Sequence, residues 1–210
     1  MNQVDQFFTP DPRQFADHYF RYLSEVLDNI DRGEIAAFVQ TLLDARERDA
    51  HVWFIGNGGS AATASHFAND IGIGTRAPGK PFRIVSLCDN QAVITAIGND
   101  FGYADIFSRQ LAMVARPGDV VVAISASGNS PNLVDAFTYA KANGITCVAL
   151  TAFSGGKLRE MQDLGIHVPT EPGEYGPAED AHMILDHLVA NYLLRLLAGT
   201  SPAGNGTPEN

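Results

Sequence analysis

Three serines lie within six residues, in the loop Ser125–Ser130. The apolar run Val120–Ile124 before it is typical of a buried strand, and Pro131 after it is typical of the first turn of a helix. The loop carries no charge, yet it can offer hydroxyls, backbone N–H groups and a helix N-terminus to a dianionic group such as phosphate. A serine before Pro131 could serve only as a cap, but one cap does not need three serines. The loop therefore predicts a phosphate site at the carboxyl end of a strand.

A second loop, Gly56–Ala61, follows the first predicted strand and fits the pattern Gly-x-Gly-x-x-Ala of dinucleotide-binding folds. Such a fold needs an acidic residue at the end of its second strand, about 20 residues further on. Asp89 ends the second predicted strand, but it lies about 30 residues from the loop. The serine loop would also have no role there, so a dinucleotide site is the weaker interpretation.

Histidines and carboxylates recur at helical spacing in two segments. His66 and Asp70 are four residues apart and share one helical face. Glu179 and His187 are eight residues apart at the start of the last predicted helix and also share a face. Each pair alone is typical of a helix surface or a cap. Together they resemble a metal-binding set of two imidazoles and two carboxylates, which would suit zinc.

The elements that must position these groups alternate between short apolar runs and amphipathic segments. The apolar runs predict five strands, at Val52–Ile55, Arg83–Leu87, Val120–Ile124, Thr146–Leu150 and Ile166–Val168. The amphipathic segments predict helices near 60–73, 90–97, 103–114, 131–143 and 178–198. This alternation predicts an α/β fold in which helices cover both faces of a parallel sheet.

Two further helices, over 12–30 and 34–48, precede the first strand. Their apolar surface exceeds what one sheet edge needs, so they pack either on their own domain alone or also on another subunit. We expect one domain over 1–198, with a helical part at 12–48 and an α/β core at 51–198. Residues 199–210 contain no core-forming residue and are expected to be a disordered tail.

Composition excludes several classes of partner. The 210 residues carry a formal net charge of −10, which argues against a nucleic-acid or anionic-membrane binder. No apolar run approaches the ~18 residues of a membrane span. The N-terminus lacks a signal-peptide pattern, and the two cysteines suit a reducing compartment, so a cytoplasmic location is expected.

The chain resembles the sugar isomerase (SIS) domain family and, within it, the phosphoheptose isomerases. The resemblance covers about residues 12–198 and is carried by Gly56–Ser60, His66–Ala68, Gly98–Gly102, Asp105–Arg109, Ser125–Ser130, Leu150–Thr151, Gly155–Lys157, His182 and His187. It implies a flavodoxin-like three-layer α-β-α sandwich with five parallel strands. It also implies a homotetramer with active sites at subunit interfaces. The implied reaction interconverts sedoheptulose 7-phosphate and D-glycero-D-manno-heptose 7-phosphate through an enediol.

The resemblance also implies roles for individual residues. It assigns Ser125, Ser127 and Ser130 to the substrate phosphate, with Ala126 between them. Along the sugar it places Asn57, Gly58, Gly59, Asn99, Asp100 and Glu179. The ligands of one zinc ion per subunit fall at His66, Asp70, Glu179 and His187, and proton transfer falls to Asp70, Glu179 and His187.

The sequence departs from the family pattern at three of these positions. Residue 70 is usually Glu and is Asp here, residue 179 is usually Gln and is Glu here, and Ala126 replaces a threonine. Asp70 is shorter than Glu by one methylene, about 1.5 Å, and a miss of 1 Å can cost roughly 100-fold in rate. Asp70 could therefore be mainly a metal ligand, with Glu179 as the base. A sugar phosphate of another length is equally compatible.

Two alternatives stay open at this point. Some SIS domains bind a phosphosugar without catalysis and act as regulators, and one such tetramer associates with the bacterial replication initiator. Loss of the ligand set is expected in such a protein, whereas this chain keeps two histidines and two carboxylates. The second alternative is an isomerase of another long-chain sugar phosphate.

Overall fold

A computed structural model describes residues 2–199, so the tail predicted over 199–210 lies outside the described residues except for Gly199. Its centre is one sheet of five parallel strands in the order β2-β1-β3-β4-β5. The strands are β1 (His51–Gly56), β2 (Arg83–Ser86), β3 (Val120–Ser125), β4 (Thr146–Thr151) and β5 (Leu164–His167). The predicted α/β class is confirmed. The carboxyl ends of β1 and β3 are neighbours, which brings the two polar loops together.

Helices cover both faces of the sheet. They are α1 (Gln3–Gln6), α2 (Pro12–Asp28), α3 (Arg32–Glu47), α4 (Gly59–Asn69), α5 (Gln91–Asp100), α6 (Ser108–Val114), α7 (Pro131–Ala142), α8 (Gly156–Met161) and α9 (Tyr175–Ala198). Alternate strand residues enter opposite cores: Phe54 packs with residues of α3, α4 and α9, whereas Ile55 packs with residues of α5 to α8. The result is the three-layer sandwich that the sequence predicts.

The N-terminal helices pack against the α/β core. Phe38 of α3 is fully buried in the core beneath the sheet. The Tyr22 hydroxyl of α2 donates to Glu174 Oε2 at 2.5 Å, and the Tyr19 hydroxyl donates to Asp180 Oδ2 at 2.6 Å. These contacts join α2 and α3 to the α/β core, while the single domain over 1–198 and packing on another subunit stay predictions.

Several details differ from the predicted elements: α1 was not predicted, and the segment predicted as a helix near 103–114 forms a 3₁₀ turn, Tyr103–Asp105, followed by α6. Helix α9 begins at Tyr175 rather than 178, and β5 occupies Leu164–His167 rather than 166–168. Helix α8 was not predicted, because six residues are too few to show an apolar period. The helix predicted over 60–73 ends at Asn69 and continues as a π turn, Asp70–Gly74. Single π turns inside helices are frequent at functional sites.

Within residues 2–199, no helix combines the length and the apolar character that crossing a membrane requires.

Candidate active site

The serine loop is folded as a compact turn at the end of β3. Gly128 N–H donates to Ser125 Oγ at 3.1 Å, and Asn129 N–H donates to Ser127 Oγ at 3.4 Å. Ser130 occupies the N-cap position of α7, but its side chain makes no capping hydrogen bond. Capping therefore does not explain that hydroxyl, which remains available to a ligand at the N-terminus of a 12-residue helix.

Residues at the start of α8 pack against this loop and form hydrogen bonds with it. Gly128 has a φ of 64°, and a Cβ there would collide with the Gly155 carbonyl oxygen, so only glycine fits. Leu158 N–H donates to the Gly128 carbonyl at 3.0 Å, and Lys157 N–H donates to Asn129 Oδ1 at 3.1 Å. The loop is thus held in place by neighbouring backbone before any ligand arrives.

A cavity of about 140 Å³ opens between the two polar loops. It is lined by Asn57, Ser60, Ile124, Ser125, Ala126, Ser127, Ser130, Tyr175 and Glu179. This volume is below the roughly 300–1,000 Å³ of a pocket that encloses a whole small molecule, so the cavity suits one end of a ligand. Ser60, Ile124 and Tyr175 were not predicted as site residues. Ser60 directly follows the glycine loop, which is a usable signal, whereas Tyr175 lies outside every motif.

Of the other residues that were predicted to contact the sugar, some lie at this cavity and others do not. The Asn57 side chain is fixed by hydrogen bonds to Asn132 and from the Tyr103 hydroxyl. Gly58 forms the turn that precedes α4. The exposed residues Asn99 and Asp100 end α5, pair with each other at 2.8 Å and do not line the cavity.

Glu179 lies against the start of α4. A Cβ built on Gly59 would fall 2.8 Å from Glu179 Cδ and 3.0 Å from Oε1. The glycine at this position therefore makes room for the carboxylate. Because Glu179 also lines the serine cavity, it is the one acidic side chain in an otherwise neutral lining.

A separate cluster of imidazoles and carboxylates lies further along α4 and α9. It contains His66, Asp70, Asp186 and His187, each with one potential ligand atom within 4.8 Å of the others. His66 Nε2 lies 3.3 Å from His187 Nε2, 3.5 Å from Asp70 Oδ2 and 3.8 Å from Asp186 Oδ2. The structure thus brings together three of the four predicted ligands. Glu179, the fourth, is not in the cluster, and Asp186, which was not predicted, is.

Asp186 is the unusual member of this cluster. Its side chain is 0% exposed, and neither carboxylate oxygen has a hydrogen-bond partner among the described residues. Burial, reinforced by the nearby charge of Asp70, raises the pKa of Asp186 to about 7. Its signal in the sequence is an acidic residue between Leu185 and Val189, on the side of α9 that packs into the core.

The donor set fits a divalent metal ion such as zinc. Four ligand atoms at about 2.0 Å from a tetrahedral ion lie roughly 3.3 Å from one another, close to the 3.3–3.8 Å separations measured from His66. A buried carboxylate without a partner is costly, and a cation would offset that cost. These residues are therefore suited to hold such an ion.

The cavity and the cluster lie along the same pair of helices. Helices α4 and α9 contact each other, with Gly59 beside Glu179 near their first turns and His66 beside His187 further on. The seven to eight residues between these levels correspond to about 10–12 Å along a helix. The cavity lined by the serine loop therefore lies about two helical turns from a potential cation site.

Three comparisons bear on this arrangement. The family model of the SIS domain matches residues 14–152. The phosphoheptose isomerase of Burkholderia pseudomallei is 38% identical over 171 residues, covering 79% of this chain and 85% of that protein. That of Geobacter sulfurreducens is 35% identical over 177 residues, covering 84% and 93%. The solved structure of a phosphoheptose isomerase from Neisseria gonorrhoeae superposes with a TM-score of 0.77 at 29% identity, covering 86% of this chain and 97% of that one.

Proposed function

This chain belongs to the SIS domain family, and we propose that it is a phosphoheptose isomerase that interconverts sedoheptulose 7-phosphate and D-glycero-D-manno-heptose 7-phosphate. One observation carries the proposal. A preformed cavity lined by serine hydroxyls and one carboxylate, Glu179, lies two helical turns from a cluster of histidines and carboxylates. This arrangement suits a substrate with phosphate at one end and a reactive carbonyl at the other.

The phosphate end is assigned to Ser125, Ser127 and Ser130, with the N-terminus of α7. Hydroxyls and a helix end can bind a dianion without a lysine, which suits a chain with a net charge of −10. Because the phosphate takes no part in the reaction, we expect its binding energy to stabilise the bound substrate and the transition state about equally.

At the reacting end we assign proton transfer to Asp70 and His187. A carboxylate removes the proton from the carbon next to the carbonyl, an enediol forms, and the proton returns to the neighbouring carbon. His187 moves protons on and off the two sugar oxygens through the ring nitrogen that a metal ion does not occupy. Both side chains are open to solvent, so a substrate could reach them, whereas the buried Asp186 could not contact it.

Two carboxylates are candidates for the base, Asp70 and Glu179, and the geometry favours Asp70. Asp70 shares the cluster with His187, whereas Glu179 lines the phosphate cavity. A base has to lie about 3 Å from the proton that it removes. Glu179 is better placed to accept hydrogen bonds from sugar hydroxyls near the phosphate.

Zinc, one ion per subunit, is the proposed cofactor, with His66, Asp70 and His187 among its ligands. When bound, such an ion would polarise the carbonyl oxygen of the sugar. Asp70 would then have to serve both as ligand and as base, through its two oxygens.

We propose a homotetramer whose subunit interface borders this site. Ile184, Leu188, Tyr192 and Leu196 recur every four residues on α9, and all are exposed. Leu188 and Tyr192 also line an open groove of about 440 Å³ against α3. An exposed apolar stripe of this kind is typical of an interaction surface. Because His187 adjoins Leu188, an interface here would border the cluster.

A cytoplasmic location is proposed from the cysteines, because Cys88 and Cys147 are both free thiols. Burial raises the pKa of the Cys147 thiol to about 12, so it is expected to be unreactive.

The test is a coupled assay of the purified protein on sedoheptulose 7-phosphate, with metal content determined on the same sample. Turnover is expected, and it should disappear after removal of metal and return when zinc is added. Glu179→Gln, which restores the usual family residue, should retain turnover if Asp70 is the base. Turnover only on a sugar phosphate of another length would redirect the assignment to that substrate. Absence of turnover on every such sugar, with phosphosugar binding retained, would favour the regulator.

A further inference from the structure

We propose that Asp186 is the fourth ligand of the divalent metal site formed with His66, Asp70 and His187, and that Glu179 is not a ligand. The proposal concerns the metal of the isomerase inferred above, and in that sense it rests on the proposed function. Metal binding can be measured without substrate, however, so the two proposals can fail separately.

Geometry separates the two carboxylates. Asp186 Oδ2 lies 3.8 Å from His66 Nε2, within the same cluster as His187. Glu179 stands seven residues before Asp186 on α9, about 10 Å away along the helix, and its carboxylate lies against Gly59. Helical side chains tilt toward the N-terminus, which directs Glu179 away from the cluster rather than toward it.

Burial without a partner supplies an independent argument. Asp186 is fully enclosed, and both of its oxygens lack a hydrogen-bond partner among residues 2–199. Carboxylates in such positions are normally paired or bound to metal. The potential ligand atoms around it belong to two imidazoles and to Asp70, all within 4.8 Å. A divalent cation at their centre would give Asp186 the partner that the protein itself does not provide.

Charge balance supports the same set. A divalent ion displaces the proton of a carboxyl ligand when it binds, and its charge then balances the two carboxylates of this set. Imidazole nitrogen and carboxylate oxygen are both common zinc ligands. Asp186 would anchor the ion from the core side, while the more exposed Asp70 and His187 hold it from the solvent side. Asp186 would therefore hold the ion and position the catalytic groups around it without touching the substrate.

The experiment compares zinc affinity in the wild-type chain, Asp186→Asn and Glu179→Gln. Each full-length protein is stripped with a chelator and titrated with Zn²⁺ against a chromophoric competitor. Titration with Co²⁺ follows, because its visible absorption reports the ligand geometry. We expect one equivalent of zinc per wild-type chain. Asp186→Asn should weaken zinc binding by more than ~100-fold and change the cobalt spectrum. Glu179→Gln should stay within ~3-fold of wild type with an unchanged spectrum.

A second variant guards against misfolding. If Asp186→Asn is not folded by circular dichroism, Asp186→Ala takes its place, and it should fold at least as well without metal because the unpaired buried charge is gone. Its melting temperature should no longer rise on adding zinc, whereas that of wild type should. Unchanged zinc affinity in the Asp186 variants, loss of affinity in Glu179→Gln, or no zinc binding by wild type would each overturn the proposal. Zinc binding as proposed, without isomerisation of any sugar phosphate, would overturn the proposed function and leave this inference standing.

Discussion

The serine cavity and the cluster of His66, Asp70, Asp186 and His187 both border helices α4 and α9, but they are suited to ligands of opposite charge. Apart from Glu179, the cavity presents neutral hydroxyls and backbone groups of the loop Ser125–Ser130, which we propose accept an anion. The cluster gathers two carboxylates around two imidazoles, so it needs a cation before it is electrostatically satisfied. The proposed anion site is thus formed by the fold alone, whereas the proposed metal site is completed only when its ion binds.

This difference predicts that substitutions in the two regions change different kinetic constants. A cavity that only holds the phosphate should affect mainly KM. A cluster that transfers protons should affect mainly kcat. The predictions below test this division, beginning with the largest effect.

His187→Ala should give the largest loss. Removing a group that transfers protons costs typically 10²–10⁴-fold, so kcat on sedoheptulose 7-phosphate should fall by at least ~100-fold, with a smaller change in KM. His18→Gln is the matched control, because that imidazole lies on α2 and bonds the Phe7 carbonyl. Normal turnover by His187→Ala would refute the proposed division.

Ser130→Ala should act mainly on binding. A hydrogen bond to a charged group contributes about 1.5–3 kcal/mol, so KM should rise roughly 10- to 100-fold while kcat changes little. Inorganic phosphate should also inhibit the variant more weakly. Ser108→Ala is the control. Ser108 begins α6, its hydroxyl donates to the Asp105 carbonyl, and it lies outside the cavity lining. An equal rise of KM in both variants would remove Ser130 from the phosphate site.

The two regions also differ in how far the sequence predicts them. The serine loop is contiguous between one strand and one helix, so its position follows from the topology of a parallel sheet. The cluster joins residues 120 positions apart, and its membership depends on how α4 packs against α9. Helical spacing placed His66, Asp70 and His187 on suitable faces. Spacing alone could not decide whether Glu179 or Asp186, seven residues apart, approaches His66.

Helix α8 shows a second limit of prediction from the sequence. The contacts with the serine loop are made by backbone groups of Gly155, Lys157 and Leu158. Backbone contacts of this kind leave little trace in side-chain patterns, although the glycines hint at close approach. The five strands and the helices on both faces of the sheet were predictable because they depend on apolar runs and their alternation with amphipathic segments, whereas the flavodoxin-like arrangement was implied only by the family resemblance.

His182 is a histidine of the buried core, in contrast to the exposed His187 of the cluster. It lies on α9 between Glu179 and Asp186, but it is only 1% exposed, and burial lowers its pKa to about 4. The folded state therefore favours the neutral ring. Between about pH 6.5 and 4 the unfolded chain binds the extra proton, so stability falls as the pH falls. From pH 7 to 4.5 the loss due to this residue is about 2 kcal/mol.

The measurement is urea denaturation of wild type and His182→Leu at both pH values. The variant should lose about 2 kcal/mol less than wild type on acidification, while its kcat at pH 7 stays within a few-fold. Equal acid sensitivity in the two proteins would contradict the assignment of His182 to the core.

Gly59→Ala offers the finest test of the comparison, because it moves one carboxylate without removing it. The new methyl group would displace Glu179, whose Cδ lies 2.8 Å from the ideal Cβ position. Crowding of this kind costs about 1–3 kcal/mol, so KM should rise several-fold. In a Glu179→Ala background the same substitution should have little further effect, since the residue that it displaces is gone. Zinc affinity should not change in either background, because Glu179 then belongs to the phosphate region and not to the cluster. A loss of zinc affinity in Gly59→Ala would contradict the separation of the two regions, because it would indicate that Glu179 is a metal ligand.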